Sequence, residues 1–116
     1  MRNMGVDVLE MSRHDHGGSV VVRLSGEMDV DNVSQVRKCL DEAVAADEPR
    51  LVVDLTGLTF IDTTGLGVLV RLLASLRERG RTMALVAPDG VVLRRLRRTN
   101  LAPLFPIYDT LPEALA

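Results

Sequence analysis

The segment Leu51–Leu55 constrains the fold of this chain more than any other. It is a nearly continuous apolar run that contains two valines and is interrupted only by Asp54. A short run of this kind, without alternation of polar residues, predicts a strand that is covered on both faces, as in a parallel sheet. We therefore expect this strand at the centre of an α/β fold.

Strand signals also occur before and after this central segment. Two predicted strands, Val6–Met11 and Ser19–Ser25, are separated by the polar loop Arg13–Gly18, whose paired glycines suit a hairpin. Two more are predicted over Met83–Val86 and Leu104–Tyr108. Because helical segments separate the later strands, we expect a mixed, mostly parallel sheet of four to five strands with flanking helices.

Apolar residues at helical spacing predict three amphipathic helices and a short terminal one. The second is the most regular, with apolar residues recurring from Leu66 to Leu76. The third is expected to follow Pro88-Asp89-Gly90. Candidate caps and boundary residues are Asp31 or Asn32, Gly80, Asn100 and Thr110. All these elements fit one domain over residues 1–116.

The segments after the second strand and before the second helix are expected to be neighbours. If the strands run parallel, Gly26–Asp29 and Asp62–Gly65 emerge at one edge of the sheet, where partners of open α/β sheets usually bind. An irregular segment is expected to lead into the helix, which Asp62 or a threonine can cap. Gly65 and Gly67 each cost about 1 kcal/mol relative to alanine in a helix interior. They indicate either tight packing on the sheet or close approach of another molecule.

Composition argues against several classes of function. The net charge is -2 at a pI of about 5.6, so the chain has no general attraction to nucleic acid. The chain has three aromatic residues and no tryptophan, so few side chains could stack on bases or flat cofactors. One cysteine and the lack of a signal-like N-terminus predict a cytoplasmic location, and Leu66–Leu76 is too short to span a membrane.

Other reactive side chains offer little chemistry. His14 and His16 lack further ligands to complete a metal site, and Cys39 is expected to be a partly apolar, buried thiol. No phosphate-binding glycine loop is present, so we expect neither a cofactor nor an enzyme. The basic run of the third helix is expected to be a solvated face, with partner contact as the minor alternative. Its arginines are Arg94, Arg95, Arg97 and Arg98.

The turn Asp62–Gly65 is the strongest candidate site. A phosphate added to Thr63 would introduce roughly -1.5 to -2 charges close to the expected positions of Glu27 and Asp29. Such a change would alter any partner contact at this edge of the sheet. The turn is therefore a candidate switch.

The chain resembles the STAS-domain anti-sigma factor antagonists of bacterial stress and sporulation regulation. The resemblance covers nearly the whole chain and rests on three segments: Leu24–Asp29, Val52–Leu55 and Phe60–Leu69. It implies that the hydroxyl residue directly after Asp62 accepts phosphate from an anti-sigma factor that is a serine/threonine kinase. That residue is Thr63, where the commonest family pattern has serine, and Thr64 is the second choice.

The resemblance implies a protein-binding switch. The unphosphorylated form would bind the anti-sigma factor and free a sigma factor, and a protein phosphatase would restore it after phosphorylation. The alternatives are a STAS adaptor subunit of a transporter or larger stress-signalling complex, and an unrecognised hydrolase or nucleotide-binding enzyme. The predicted partner-binding residues are Glu27, Met28, Asp29, Asp62, Thr63, Thr64, Gly65 and Leu66.

Overall fold

Five strands form one mixed sheet, whose spatial order follows the order of the chain. The computed structural model describes residues 9–45 and 48–116. The first two strands are antiparallel and all later neighbours are parallel, which confirms the predicted fold class. The strands are β1 Leu9–His16, β2 Ser19–Met28, β3 Arg50–Ile61, β4 Thr82–Val86 and β5 Ile107–Tyr108. The helices are α1 Val33–Ala45, α2 Thr63–Glu78, α3 Val91–Arg98 and α4 Leu111–Leu115, with a short 3-10 helix at Ala102–Leu104.

The two faces of the sheet are covered unequally. Alternate residues of β2 point in opposite directions, as the twofold period of a strand requires. Val20, Val22 and Leu24 enter the large core beneath α1, α2 and α3. Val21 instead joins a smaller cluster with Ala114 of α4. The predicted central strand lies between β2 and β4 and is buried from Leu51 to Leu55.

The hairpin is tighter than the sequence indicated. The predicted polar loop Arg13–Gly18 is wrong, because β1 continues to His16 and only Gly17 and Gly18 form the turn. Gly17 has a φ of 60°, which glycine adopts without steric cost. Polar residues are tolerated in β1 because it is an exposed edge strand. Residues 6–8 of the predicted first strand lie outside the described residues.

Strands β2 and β3 run on beyond their predicted ends. The expected irregular segment before α2 is wrong, since β3 is extended through Ile61 and pairs with β2 as far as Met28. Two register shifts interrupt this pairing. At the first, a Cβ on Gly57 would stand 2.7 Å from the Cβ of Ser25. Gly57 therefore permits the close approach of the strands and does not break β3.

Most helix boundaries match their predicted residues. Gly80 and Asn100 have φ values of 71° and 60° just after α2 and α3, and Thr110 caps α4 by accepting from the Glu113 amide. The predicted last strand is reduced to Ile107–Tyr108, because the 3-10 helix occupies residues 102–104. No helix within the described ranges combines the length and the apolar character needed to cross a bilayer.

Candidate partner-binding site at the start of helix α2

Two backbone contacts join the end of β2 to the start of α2. The Asp62 amide donates to the Met28 carbonyl oxygen at 3.2 Å. The Val30 amide lies near the Asp62 carboxylate and helps to lower its pKa. The predicted proximity of the two segments is therefore confirmed, with the loop after β2 held against the first turn of α2.

Asp62 caps helix α2. Its backbone is extended, and its Oδ1 accepts from the Gly65 amide at 3.1 Å, which satisfies a donor that the helix itself cannot pair. The Thr64 hydroxyl, together with weaker backbone donors, lowers the pKa of this carboxyl below its ordinary value. Asp62 consequently carries its negative charge throughout the neutral range.

The two threonines differ in their hydrogen bonding. The Thr64 hydroxyl donates to Asp62 Oδ1 at 2.5 Å. The Thr63 hydroxyl is exposed and has no hydrogen-bond partner in the part of the chain that the structure describes. Thr63 is also the first residue of α2, where unpaired backbone amides favour a negative group. Both threonines are exposed, but only the Thr63 hydroxyl is free of a hydrogen bond within the described residues.

Three of the predicted partner-binding residues are not exposed. Met28, Gly65 and Leu66 are buried, so the structure gives them a packing role, and their contact with a partner stays a prediction. A Cβ on Gly65 would stand 2.8 Å from Ile61 Cγ1 and 2.9 Å from Met28 Cε. Gly65 is therefore needed for the packing of α2 on the sheet, one of the two roles that the sequence left open.

Two exposed apolar residues beside this turn were not singled out from the sequence. Val30 is 67% exposed and Phe60 is 41% exposed. The Val30 amide lies near the Asp62 carboxylate, and Phe60 pairs in register with Glu27, which is also exposed. We call the exposed side chains of Glu27, Val30, Phe60 and Thr63 the turn surface. In the sequence Phe60 only began one of the segments that carry the family resemblance, and the structure reveals its exposed position beside Glu27.

Asn32 positions the loop after β2. Its side-chain nitrogen donates to the Glu27 carbonyl at 2.8 Å, and its Oδ1 accepts from the Asp29 amide at 3.0 Å. This buried side chain therefore points back into the loop and does not provide the predicted cap of α1. Asp29 itself is half-buried, and its Oδ1 accepts from the Asp31 amide at 3.0 Å.

The remaining candidate residues are dispersed. His14 lies on the exposed strand β1, and the described residues contain no group of three or more side chains able to hold a metal ion. Burial, with a smaller effect of Glu42, raises the pKa of the half-buried Cys39 thiol against an opposing effect of Arg13. The thiol therefore stays protonated at neutral pH. The four arginines of α3 are all exposed: Arg94, Arg95, Arg97 and Arg98.

Comparison with protein families decides the assignment. The model of the STAS domain matches residues 10–114. The chain belongs to the STAS domain family. This match includes the whole turn surface and all of the sheet and helices except Leu9 and Leu115 at their ends.

The STAS chain is similar to anti-sigma factor antagonists over nearly its whole length. It is 34% identical to the anti-sigma F factor antagonist of Paenibacillus polymyxa over 108 residues, 92% of each chain. It is 28% identical to the anti-sigma-F factor antagonist RsfB of Mycobacterium tuberculosis, covering 94% of this chain and 88% of the relative. An anti-sigma factor antagonist from Mycobacterium paratuberculosis superimposes with a TM-score of 0.83 at 31% identity, covering 96% and 94% of the two chains. These relatives are regulatory binding proteins, not enzymes.

Proposed function

We propose that this protein is a cytoplasmic anti-sigma factor antagonist that is controlled by phosphorylation of Thr63. The unphosphorylated form binds an anti-sigma factor kinase and so releases a sigma factor. Phosphate transferred to Thr63 by that kinase ends the complex, and a protein phosphatase restores the binding form. The observation that carries this proposal is the exposed, unbonded hydroxyl of Thr63 within the turn surface.

The apolar side chains of the turn surface supply a reason for protein binding. Val30 and Phe60 expose carbon to water, and a partner that covered them would gain about 25 cal/mol for each Å² of apolar area removed from solvent. Glu27 and Asp62 surround them with negative charge. A partner with a small apolar patch and basic residues around it would fit this arrangement.

Electrostatics explains how phosphate would oppose this complex. Phosphorylation of Thr63 adds roughly -1.5 to -2 charges directly beside the ionised carboxylate of Asp62. Glu27 is exposed on the adjacent strand and adds to the repulsion. The amides at the start of α2 offset part of this cost for the phosphoprotein itself. The phosphate also occupies space within a contact surface, where even small groups prevent close packing.

Site-specific phosphorylation tests the acceptor. The protein is incubated with its anti-sigma factor kinase and ATP, and the product is mapped by mass spectrometry. We expect Thr64→Ala to be phosphorylated and Thr63→Ala not to be. Thr59→Ala is the matched control, because Thr59 is a nearby exposed threonine whose hydroxyl is bonded to the Gly26 carbonyl at 3.0 Å. Full phosphorylation of Thr63→Ala would exclude Thr63 as the acceptor.

Binding measurements test the switch. Thr63→Glu is expected to weaken the complex with the anti-sigma factor by about tenfold or more, equivalent to about 1.4 kcal/mol. Thr63→Ala and Thr59→Glu are expected to retain the affinity, and circular dichroism verifies that each variant folds. Equal affinity of Thr63→Glu and the wild-type chain would argue against the switch. Absence of any binding by the wild-type chain would favour a STAS adaptor subunit of a transporter or of a larger stress-signalling complex.

A further inference from the structure

A groove runs between helices α1 and α2 on the helical side of the sheet. Its volume is about 290 Å³. Three buried apolar side chains, Leu40, Val68 and Leu72, line it, and the exposed residues Arg37 and Arg71 stand at its rim. The groove thus combines an apolar floor with two positive charges that come from different helices.

The two guanidinium groups form no ion pair within residues 9–45 and 48–116. Neither Arg37 nor Arg71 has a hydrogen bond or an ion pair in that part of the chain. Asp41 also lines the groove, one helical turn after Arg37, and likewise forms no ion pair with either arginine. Both cations are therefore available to an anion that enters the groove.

Arg71 lies along the surface of α2. Its Nη2 atom is 3.6 Å from the position that a Cβ on Gly67 would occupy. The side chain therefore extends back over the preceding helical turn, where glycine leaves room for it. This position keeps the guanidinium next to the groove.

We propose that this groove binds a small amphipathic anion, namely a carboxylate or phosphate monoester attached to a short apolar chain. Arg37 and Arg71 bind the anionic head, while the apolar floor covers the chain. Ser75, which also lines the groove, provides a hydroxyl for a further hydrogen bond. The volume lies just below the range for small-molecule sites, roughly 300–1,000 Å³, so the apolar part must be short.

This site is separate from the turn surface. Arg71 follows Thr63 by eight residues, which corresponds to about 12 Å along a helix axis. Ligand binding in the groove therefore requires neither phosphorylation of Thr63 nor the anti-sigma factor. The proposal stands or fails independently of the proposed function.

Two-dimensional NMR of the full chain tests the ligand class. Octanoate and octyl phosphate serve as probes, with 1-octanol as the neutral control and inorganic phosphate as the control without a chain. We expect saturable shifts of amides in residues 37–41 and 68–75 with an anionic probe, and at least about tenfold weaker binding of both controls. The tighter of the two anionic probes identifies the head group. Equal binding of 1-octanol would overturn the proposed recognition of an anion.

Arginine variants test the site itself. Arg37→Gln and Arg71→Gln are each expected to weaken binding of the better probe by about tenfold, the loss of one charge-assisted contact. Arg94→Gln is the matched control, because Arg94 is an exposed arginine on α3 outside the groove. Unchanged affinity in both groove variants would overturn the assignment. The absence of saturable amide shifts at probe concentrations up to about 10 mM would also overturn it, because such concentrations detect even millimolar dissociation constants.

Discussion

The Thr64 hydroxyl donates a hydrogen bond of 2.5 Å to Oδ1 of Asp62, two residues earlier. The same oxygen accepts from the Gly65 amide at 3.1 Å, so one carboxylate both holds the threonine and caps helix α2. Thr64 is thereby committed to the structure of the turn. Thr63, its neighbour in the chain, keeps an exposed hydroxyl.

The first prediction concerns the titration of Asp62. Thr64→Val removes the main cause of the lowered pKa, so the pKa of this carboxyl should rise towards its ordinary value. Carbon-13 NMR titration of the side-chain carboxyl measures the change. Thr63→Val is the matched control and should leave the pKa where it is. An unchanged pKa in Thr64→Val would show that this hydrogen bond does not form in solution.

The lowered pKa also sets the direction of a pH effect on stability. Because the folded pKa lies below the unfolded value of about 3.9, the stabilisation from Asp62 is fully present above that pH. It is lost as the pH falls through the folded pKa. Urea unfolding of the wild-type chain and Thr64→Val should therefore differ near neutral pH and converge in acid. A difference that stayed constant down to the lowest pH would contradict this linkage.

A second prediction concerns the cap itself. Asp62→Ala should reduce the free energy of unfolding by about 0.5–2 kcal/mol, because the first turn of α2 loses its side-chain acceptor. Asp89→Ala is a suitable control: Asp89 also precedes a helix, yet α3 has no side-chain cap hydrogen bond. Asp89→Ala should change the free energy of unfolding by no more than about 0.5 kcal/mol. Urea unfolding at neutral pH measures both, and equal effects would contradict a specific capping role of Asp62.

The two glycines of α2 provide a third prediction. Gly65→Ala should destabilise the protein by about 1–3 kcal/mol, because its Cβ would overlap Ile61 and Met28. Gly67→Ala should be neutral or stabilising by up to about 1 kcal/mol, since Arg71 Nη2 is the nearest atom at 3.6 Å and alanine favours the helix. Thermal unfolding of the pair measures the difference. Equal effects would contradict the packing described for Gly65.

A fourth prediction concerns Asp54, a buried carboxylate on β3. Its Oδ1 accepts from the Thr56 amide at 3.0 Å and the Thr56 hydroxyl at 2.6 Å, and its Oδ2 accepts from Arg23 Nε at 3.2 Å. These contacts lie where β3 shifts register against β2. Asp54→Ala should cost about 2–3 kcal/mol, because it leaves these donors without their charged acceptor.

The exposed ion pair Arg13–Asp15 supplies the control for Asp54. Its atoms are 4.0 Å apart, and the Asp15 side chain is 62% exposed. Asp15→Ala should therefore change the free energy of unfolding by less than about 1 kcal/mol. If Asp54→Ala were no more destabilising than Asp15→Ala in urea, Asp54 would have no special part in stabilising the register shift.

Local sequence patterns determined the architecture. The apolar run Leu51–Leu55 indicated a covered parallel strand, and the repeat from Leu66 to Leu76 indicated a helix, because burial follows the period of each element. Since parallel strands end at one edge, the sequence also placed Gly26–Asp29 beside Asp62–Gly65. That inference required only the direction of the strands.

Tertiary structure decided what each residue of the turn does. The burial of Met28 and the exposure of Phe60 depend on atoms far apart in the chain. So does the collision that a Cβ on Gly65 would cause. The register shift between β2 and β3 also depends on such distant atoms. It allows β3 to continue past Thr56 and Gly57, residue types that are typical of the end of a strand. A hydroxyl's partner is likewise a matter of three-dimensional position. The sequence ranked Thr63 over Thr64 by resemblance and because a hydroxyl one residue further into the helix can cap backbone donors. Packing supplies the physical difference between them, because the Asp62 carboxylate accepts from Thr64 and not from Thr63.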